Sequence, residues 1–149
     1  MLRPARTEDL ELLVEGNRAM AEETEGLALD LERLRPGVAA VLADPARGTY
    51  FIWEVEGRAV AQLLVTYEWS DWRNAWVWWI QSVFVAPEHR RRGYYRSLYE
   101  AVKARAQAED AAGLRLYVER ENTRAQSTYA ALGMDGEHYR LFEAMFTEH

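Results

Sequence analysis

Apolar positions recur along the chain with two periods, near 3.6 and near 2, and the changes between them mark the predicted elements. "LRPAR" reads as a short first strand, which Pro4 places at a sheet edge or a strand start. "TEDLELLVEGNRAM" has helical spacing. Leu10, Leu13, Val14 and Asn17 form its inner stripe, Thr7 is the expected cap, and Glu8 and Asp9 occupy the first turn, where the helix dipole favours anions. An acidic connection, "AEETEGLALD", leads to a second helix in "LERLRPGVAAVLADP", with Pro36 near its first turns and Pro45 after its end. The period then falls to two. "GTYFIWEV", "RAVAQLLVTYEW" and "AWVWWIQSVFV" are rich in β-branched and aromatic residues, and the tight turn Glu56-Gly57-Arg58 makes the first two an antiparallel hairpin. Helical spacing returns in "GYYRSLYEAVKARAQAE", where Leu98, Ala101, Val102 and Arg105 share a face. "GLRLYVE" is a strand. "NTRAQSTYAALG" is a short helix capped by Asn122 and stopped by Gly133, and "HYRLFEAMF" is a last strand.

This order predicts an α/β (α+β) fold. One domain over residues 1–149 is built on a mixed, mostly antiparallel twisted sheet of six to seven strands, flanked by about four helices. Composition narrows the function. The chain is 49% hydrophobic and 28% charged, as a protein with a real core should be. It has no Cys, which excludes disulfides, thiolate metal sites and a cysteine nucleophile. Its three histidines, His89, His138 and His149, lack metal-ligand spacing, so no metal is expected. A net charge of -6 argues against nucleic-acid binding, which needs a basic face. No segment has the length and apolarity of a membrane span, and the N-terminus turns acidic too early for a signal peptide, so a cytoplasmic protein is expected.

Against that acidic background, Arg90, Arg91 and Arg92 stand together just before Gly93, between the end of a strand and the start of a helix. Backbone amides at a helix N-terminus lack intrahelical partners and carry partial positive charge. A phosphate placed there is bound by them, glycine permits close approach, and arginines add charge-assisted bonds. The geometry suits a pyrophosphate, although a solvated basic turn explains the residue types equally well. A Walker loop and a dinucleotide fingerprint are both excluded, because their glycine and lysine patterns are absent.

Two motifs go further. Arg90-Arg91-Arg92-Gly93-Tyr94-Tyr95 follows the strand ending "VFVAPEHR", and "ENTRAQSTYAALGM" places Asn122, Ala125, Tyr129, Gly133 and Met134 at characteristic spacings. In these motifs, and in the order of elements along essentially the whole chain, the sequence resembles the GNAT (Gcn5-related) N-acetyltransferases. The family's loop signature is Arg/Gln-x-x-Gly-x-Gly/Ala. Tyr95 departs from its last position, so that side chain must turn away from the phosphates. The resemblance implies acetyl-CoA as donor. Val83, Phe84 and Val85 would pair with the pantetheine arm, and the loop from Arg90 through Tyr94 and Tyr95 to Arg96 would hold the pyrophosphate. Asn122 would lie near the pantetheine or thioester, and Tyr129 near the sulfur.

The implied reaction is attack of an amine on a thioester, in one step within a ternary complex. Tyr129, with an ordinary phenol pKa of about 10, can protonate the leaving thiolate. A backbone amide near Val83 can polarise the thioester carbonyl. Family members often carry a carboxylate on the strand before the loop. Here Gln81 and Ser82 stand there, and neither is a base, although both could hold a water. Other acceptor-side candidates are Glu22, Glu23 and Glu25 in "AEETEG", and Glu68, Trp69 and Asp71 in "EWSDWRN", although each carboxylate taken singly is better explained as solvated surface. The expectation is that these two acidic segments meet beside the thioester. All six Trp lie between Trp53 and Trp79, and Trp76 and Trp78 alternate with Val77 and Trp79 across the sheet. The acceptor would be a small-molecule or protein amine, and a homodimer is compatible with this reading. The alternative is a CoA-binding regulatory or scaffold domain that transfers nothing.

Overall fold

The computed structural model describes residues 1–149 as two units, residues 1–116 and residues 117–149. The first unit carries a five-stranded mixed sheet in sequential order. Its elements are β1 (Leu2–Pro4), α1 (Leu10–Glu25), α2 (Leu31–Ala43), β2 (Thr49–Val55), β3 (Arg58–Ser70), β4 (Ala75–Val85), α3 (Tyr94–Ala108) and β5 (Gly113–Arg115). Neighbouring strands are antiparallel from β1 to β4, and β5 joins β4 in parallel through the α3 crossover. At the β2–β3 turn, Glu56 and Gly57 both have positive φ, the type I′ geometry that matches the twist of a two-residue hairpin.

Successive residues of a strand face opposite sides, and β2 shows what each side buries. Tyr50 and Ile52 pack with Leu13 and Val14 of α1 and Val38 of α2. Phe51 points the other way. It stacks on Trp78, and the Arg105 guanidinium of α3 lies 5.2 Å from its ring centre. Trp78 also meets Tyr67 edge-on across the β3–β4 pair, and Trp76 meets Trp69 likewise. The expected alternation therefore holds for Trp78, which is buried, whereas Trp69, Trp72 and Trp76 remain exposed.

α1 is seated on the sheet by polar contacts. Gln62 of β3 is buried, donates to the Leu13 carbonyl at 3.2 Å, and lies against Gly16. Buried Asn17 donates to the same carbonyl and to the Tyr50 hydroxyl. The start of α1 differs from expectation. Thr7 makes no capping bond. It opens a single 3-10 turn, Thr7–Asp9, and the Asp9 carboxylate instead accepts from the Arg6 amide at 2.7 Å. Asp9 is held there by a two-pronged bond from Arg3, which also pairs with Glu54. Gly26, at φ +64°, ends the helix.

The second unit contains α4 (Thr123–Ala131). Asn122 caps it as expected, its side chain accepting from the Ala125 amide at 3.1 Å, and Gly133, at φ +91°, closes it. Two strand expectations need correction. The strand expected over "GLRLYVE" stops at Arg115, and "HYRLFEAMF" forms no strand, so the sheet has five strands rather than six or seven.

Candidate functional site

Within residues 1–116, β4 is paired on both sides only at its start. β5 covers Val77, Trp78 and Trp79, and from Ile80 to Val85 the strand pairs with β3 alone. No strand of residues 1–116 pairs with the outer edge of Val83, Phe84 and Val85. Between Gln62 and Leu64 the β3–β4 register shifts, so that Ser82 and Val83 together oppose Leu63. Ser82 sits at φ +53°, a left-handed conformation that costs a non-glycine residue about 1–2 kcal/mol. Such bulges re-aim the backbone and recur beside functional sites. Next to it, Gln81 donates to the Thr66 hydroxyl at 2.5 Å, which fixes its carboxamide.

After β4 the chain makes one 3-10 turn and enters the arginine loop. Arg91, at φ +63°, and Gly93, at φ +78°, turn it into α3. The α3 ladder begins with the Ser97 amide bonding the Gly93 carbonyl at 3.0 Å, so the amides of Tyr94 and Arg96 precede it. A Cβ on Gly93 would meet no atom within 4 Å, so the space against its backbone is open. Arg91, Arg92 and Arg96 are exposed, while the Tyr95 hydroxyl is buried. The tyrosine ring is therefore turned inward, which removes the steric objection to Tyr95 at this position. Open backbone, the start of a 15-residue helix and three exposed guanidiniums fit a pyrophosphate, and the bare edge of β4 fits an extended amide-bearing arm.

Arg90 makes contacts of its own. Its guanidinium donates to the Val85 carbonyl at 2.9 Å and to Glu23 of α1 at 2.7 Å, and lies over the Phe84 ring. It ties the end of β4 to the end of α1. Glu23 thus lies at the loop end of β4. Glu68 lies at the other end, where Trp79 and Arg115 donate to it and hold its carboxyl below the usual range, the indole bond contributing most. The six steps of strand from Trp79 to Val85 span about 20 Å. The structure does not bring "EETEG" and "EWSDW" together. Glu22 pairs with Arg18, and Glu25 is exposed. Asp71 accepts from the Trp72 amide within the β3–β4 turn, and Trp69 is half-exposed beside Trp76.

In the second unit, Asn122 and Tyr129 are seven residues apart on α4. That is two turns, on one face, about 10 Å along the axis. Two features went unread in the sequence. The Ser82 bulge has no glycine to announce it, and the Arg90–Glu23 tie joins residues 67 positions apart.

The model of the acetyltransferase (GNAT) family matches residues 12–134. The crystal structure of a possible acetyltransferase from Clostridium difficile 630 is 42% identical, superposes with a TM-score of 0.93, and is matched over 99% of this chain and 98% of that one. A ribosomal-protein-alanine N-acetyltransferase from Brucella melitensis is 14% identical, with a TM-score of 0.78 over 99% of both chains. A predicted acetyltransferase from Clostridium acetobutylicum, solved with acetyl-CoA, is 16% identical, with a TM-score of 0.75 over 96% of this chain and 95% of that one. At those identities the last two share the fold. No curated protein matches the sequence.

Proposed function

The chain belongs to the acetyltransferase (GNAT) family and is an N-acetyltransferase with an acetyl-CoA donor, and from that premise we propose that an amine attacks the thioester directly in a ternary complex. The observation that carries this reading is the half-bare β4 edge running straight into the open Gly93 loop. Val83, Phe84 and Val85 would hold the pantetheine arm. The amides of the first α3 turn, with Arg91, Arg92 and Arg96, would hold the pyrophosphate. Arg90 positions that loop through Val85 and Glu23 and is not itself a phosphate ligand in this reading.

Bound acetyl-CoA supplies an activated acyl carbon and a thiolate leaving group. The backbone at the Ser82–Val83 bulge is re-aimed off the regular ladder, and its amide would stabilise developing negative charge on the carbonyl oxygen. The Tyr129 hydroxyl would donate a proton to the departing sulfur, and Asn122, whose Oδ1 caps α4, would present its Nδ2 to the thioester end. An alkyl ammonium, with a pKa of about 10.4, must lose a proton before attack. Gln81, fixed by Thr66, would orient a water to accept it. The acceptor is an amine, on a small molecule or a protein.

Thiol release from acetyl-CoA is the test, measured across a panel of amines together with calorimetric acetyl-CoA affinity. Amine-dependent release is expected. Binding without release by any amine would overturn the transfer reading and leave a CoA-binding domain.

A further inference from the structure

α1 ends against its own charge. Its last turn carries Glu22, Glu23 and Glu25 and no basic residue, at the end of the helix where the dipole disfavours anions. Gly26 and Leu27 close the backbone there by donating to the Glu22 and Ala21 carbonyls, at 3.0 and 3.2 Å. Glu22 is neutralised from within the helix, by Arg18. Glu23 is neutralised from outside it, by Arg90, 67 positions away.

The arginine loop is also held in an unfavourable shape. Arg91 and Gly93 are both left-handed, and a non-glycine residue stays in that region only where its surroundings dictate it. Just ahead of them, Arg90 is anchored twice. Ala86 donates to the Val60 carbonyl at 3.3 Å, on the β3 side, so Val85, one residue earlier, turns its carbonyl to the outer edge of β4. Arg90 donates to that carbonyl through Nε and to Glu23 through Nη2. Donors set in one rigid plane thus fix the strand end, the loop and the helix end to one another. The ion pair is half-exposed on both sides, and such a pair adds little stability. What it adds is geometry.

We propose that Arg90 is a positioning residue of the donor site, acting through Glu23. The last turn of α1 and the Gly93 loop order together. Acetyl-CoA bound at the loop firms the end of α1, and a firm α1 end raises the affinity for acetyl-CoA, since coupling of this kind is reciprocal. The proposal rests on acetyl-CoA lying at that loop, part of the function proposed above. The opposite linkage would follow if phosphate drew Arg90 away from Glu23. The contacts favour the first: Arg90 is engaged by Val85 and Glu23, while Arg91, Arg92 and Arg96 are exposed on the loop to meet phosphate.

The test reads calorimetric acetyl-CoA affinity and amide hydrogen exchange over residues 21–30, on the full chain. Saturating acetyl-CoA should slow exchange at Gly26 and Leu27 by about fivefold or more, the low end of ordinary coupling. Glu23→Gln, and Arg90→Lys, which keeps the charge but not the fork, should each weaken acetyl-CoA binding about fivefold or more and remove that slowing, with the near-ultraviolet tryptophan spectrum unchanged. The double variant should bind no more weakly than the poorer single one, because both break one contact. Arg18→Gln, which strips Glu22 of its partner in the same turn, should match the wild type in both readouts. A loss there as large as in Glu23→Gln would make the pair a general support of the helix end and overturn the proposal. Wild-type affinity in Glu23→Gln, or exchange at Gly26 that ignores the cofactor, overturns it too. So does tighter binding in Glu23→Gln, or faster exchange with acetyl-CoA, the signs of competition for Arg90. Gly93→Val separates the two readings. If it binds acetyl-CoA like the wild type, the loop assignment falls and the proposal with it. If it binds weakly while Glu23→Gln does not, the loop assignment stands and the proposal alone falls.

Discussion

Replacing Gly16 with alanine probes how α1 is held on the sheet. An alanine Cβ would lie 2.5 Å from Cδ and Oε1 of Gln62, well inside contact distance. The end of a glutamine can swing away, but this one is 4% exposed and donates to the Leu13 carbonyl. Moving it forfeits that bond, about 0.5–1.5 kcal/mol, and forces a buried rearrangement of about 1–3 kcal/mol. Against this, alanine in a helix interior gains about 1 kcal/mol over glycine. The net expectation is a loss of about 1–3 kcal/mol. With a urea slope of about 1–3 kcal/mol/M, the unfolding midpoint should fall by roughly 0.5–1.5 M. In a Gln62→Ala background the obstacle is gone and only the helix gain remains, so the same substitution should stabilise by about 0.5–1 kcal/mol. Leu13 keeps the Asn17 donor there, which limits the side effects of the background change. The measurement is a double-mutant cycle by urea denaturation. Stabilisation by Gly16→Ala in the wild-type background would refute the reasoning, as would equal effects in both backgrounds.

Tyr129→Phe should cut turnover by about 10²–10⁴-fold, the usual contribution of a general acid, while calorimetric acetyl-CoA affinity stays unchanged; near-normal turnover would leave the tyrosine a purely structural role. Gly93→Val places a β-branched residue at φ +78° and fills the open space against the loop, so acetyl-CoA affinity should drop at least tenfold with the fold retained; an unchanged calorimetric constant would detach the loop from cofactor binding. Asp9→Asn should destabilise by about 1–3 kcal/mol at neutral pH, because it removes charge-assisted bonds to Arg3. Those bonds, before any other influence, hold the Asp9 carboxyl below its usual range. The stability they add is therefore complete above the ordinary carboxylate pKa of about 4 and disappears as pH falls through the lower folded value. The gap between variant and wild type, followed by thermal unfolding, should close below about pH 4, and a gap constant with pH would remove the ion pair from the explanation.

Local rules reached most elements. The β2–β3 hairpin was legible because Glu56-Gly57 combines a short turn with flanking strands of period two. The α1 and α3 faces were legible because a helical stripe depends only on nearby spacing. α4 was legible at both ends, since Asn122 and Gly133 act on their own turn. Features set by distant partners were not legible. Thr7 looked like a cap, but Asp9 is claimed by Arg3 and takes over the turn. The tie between Arg90 and Glu23 was not legible, because α1 delivers that carboxylate from 67 positions away. Glu23 and Glu68 looked like one acidic pocket because the sequence carries no measure of how far β4 separates them. His138–Phe146 has strand alternation, yet strandedness belongs to a pair of chain segments and not to one.

The single residue inserted at Ser82 also inverts the strand's phase. Trp78 and Phe84 are an even number apart, so in an unbroken strand they would share a side. Across the bulge they do not. Trp78 is registered with Tyr67 and packs on Phe51, on the α3 side, whereas Phe84 is registered with Gln62, whose side chain meets α1. β4 therefore serves two layers in succession, lining one beneath α3 and then presenting Phe84 to the side where Arg90 and Glu23 meet. Deleting Ser82 would be far more severe than any substitution there, because everything beyond it would change sides at once. Length at this point of the chain is constrained more tightly than identity.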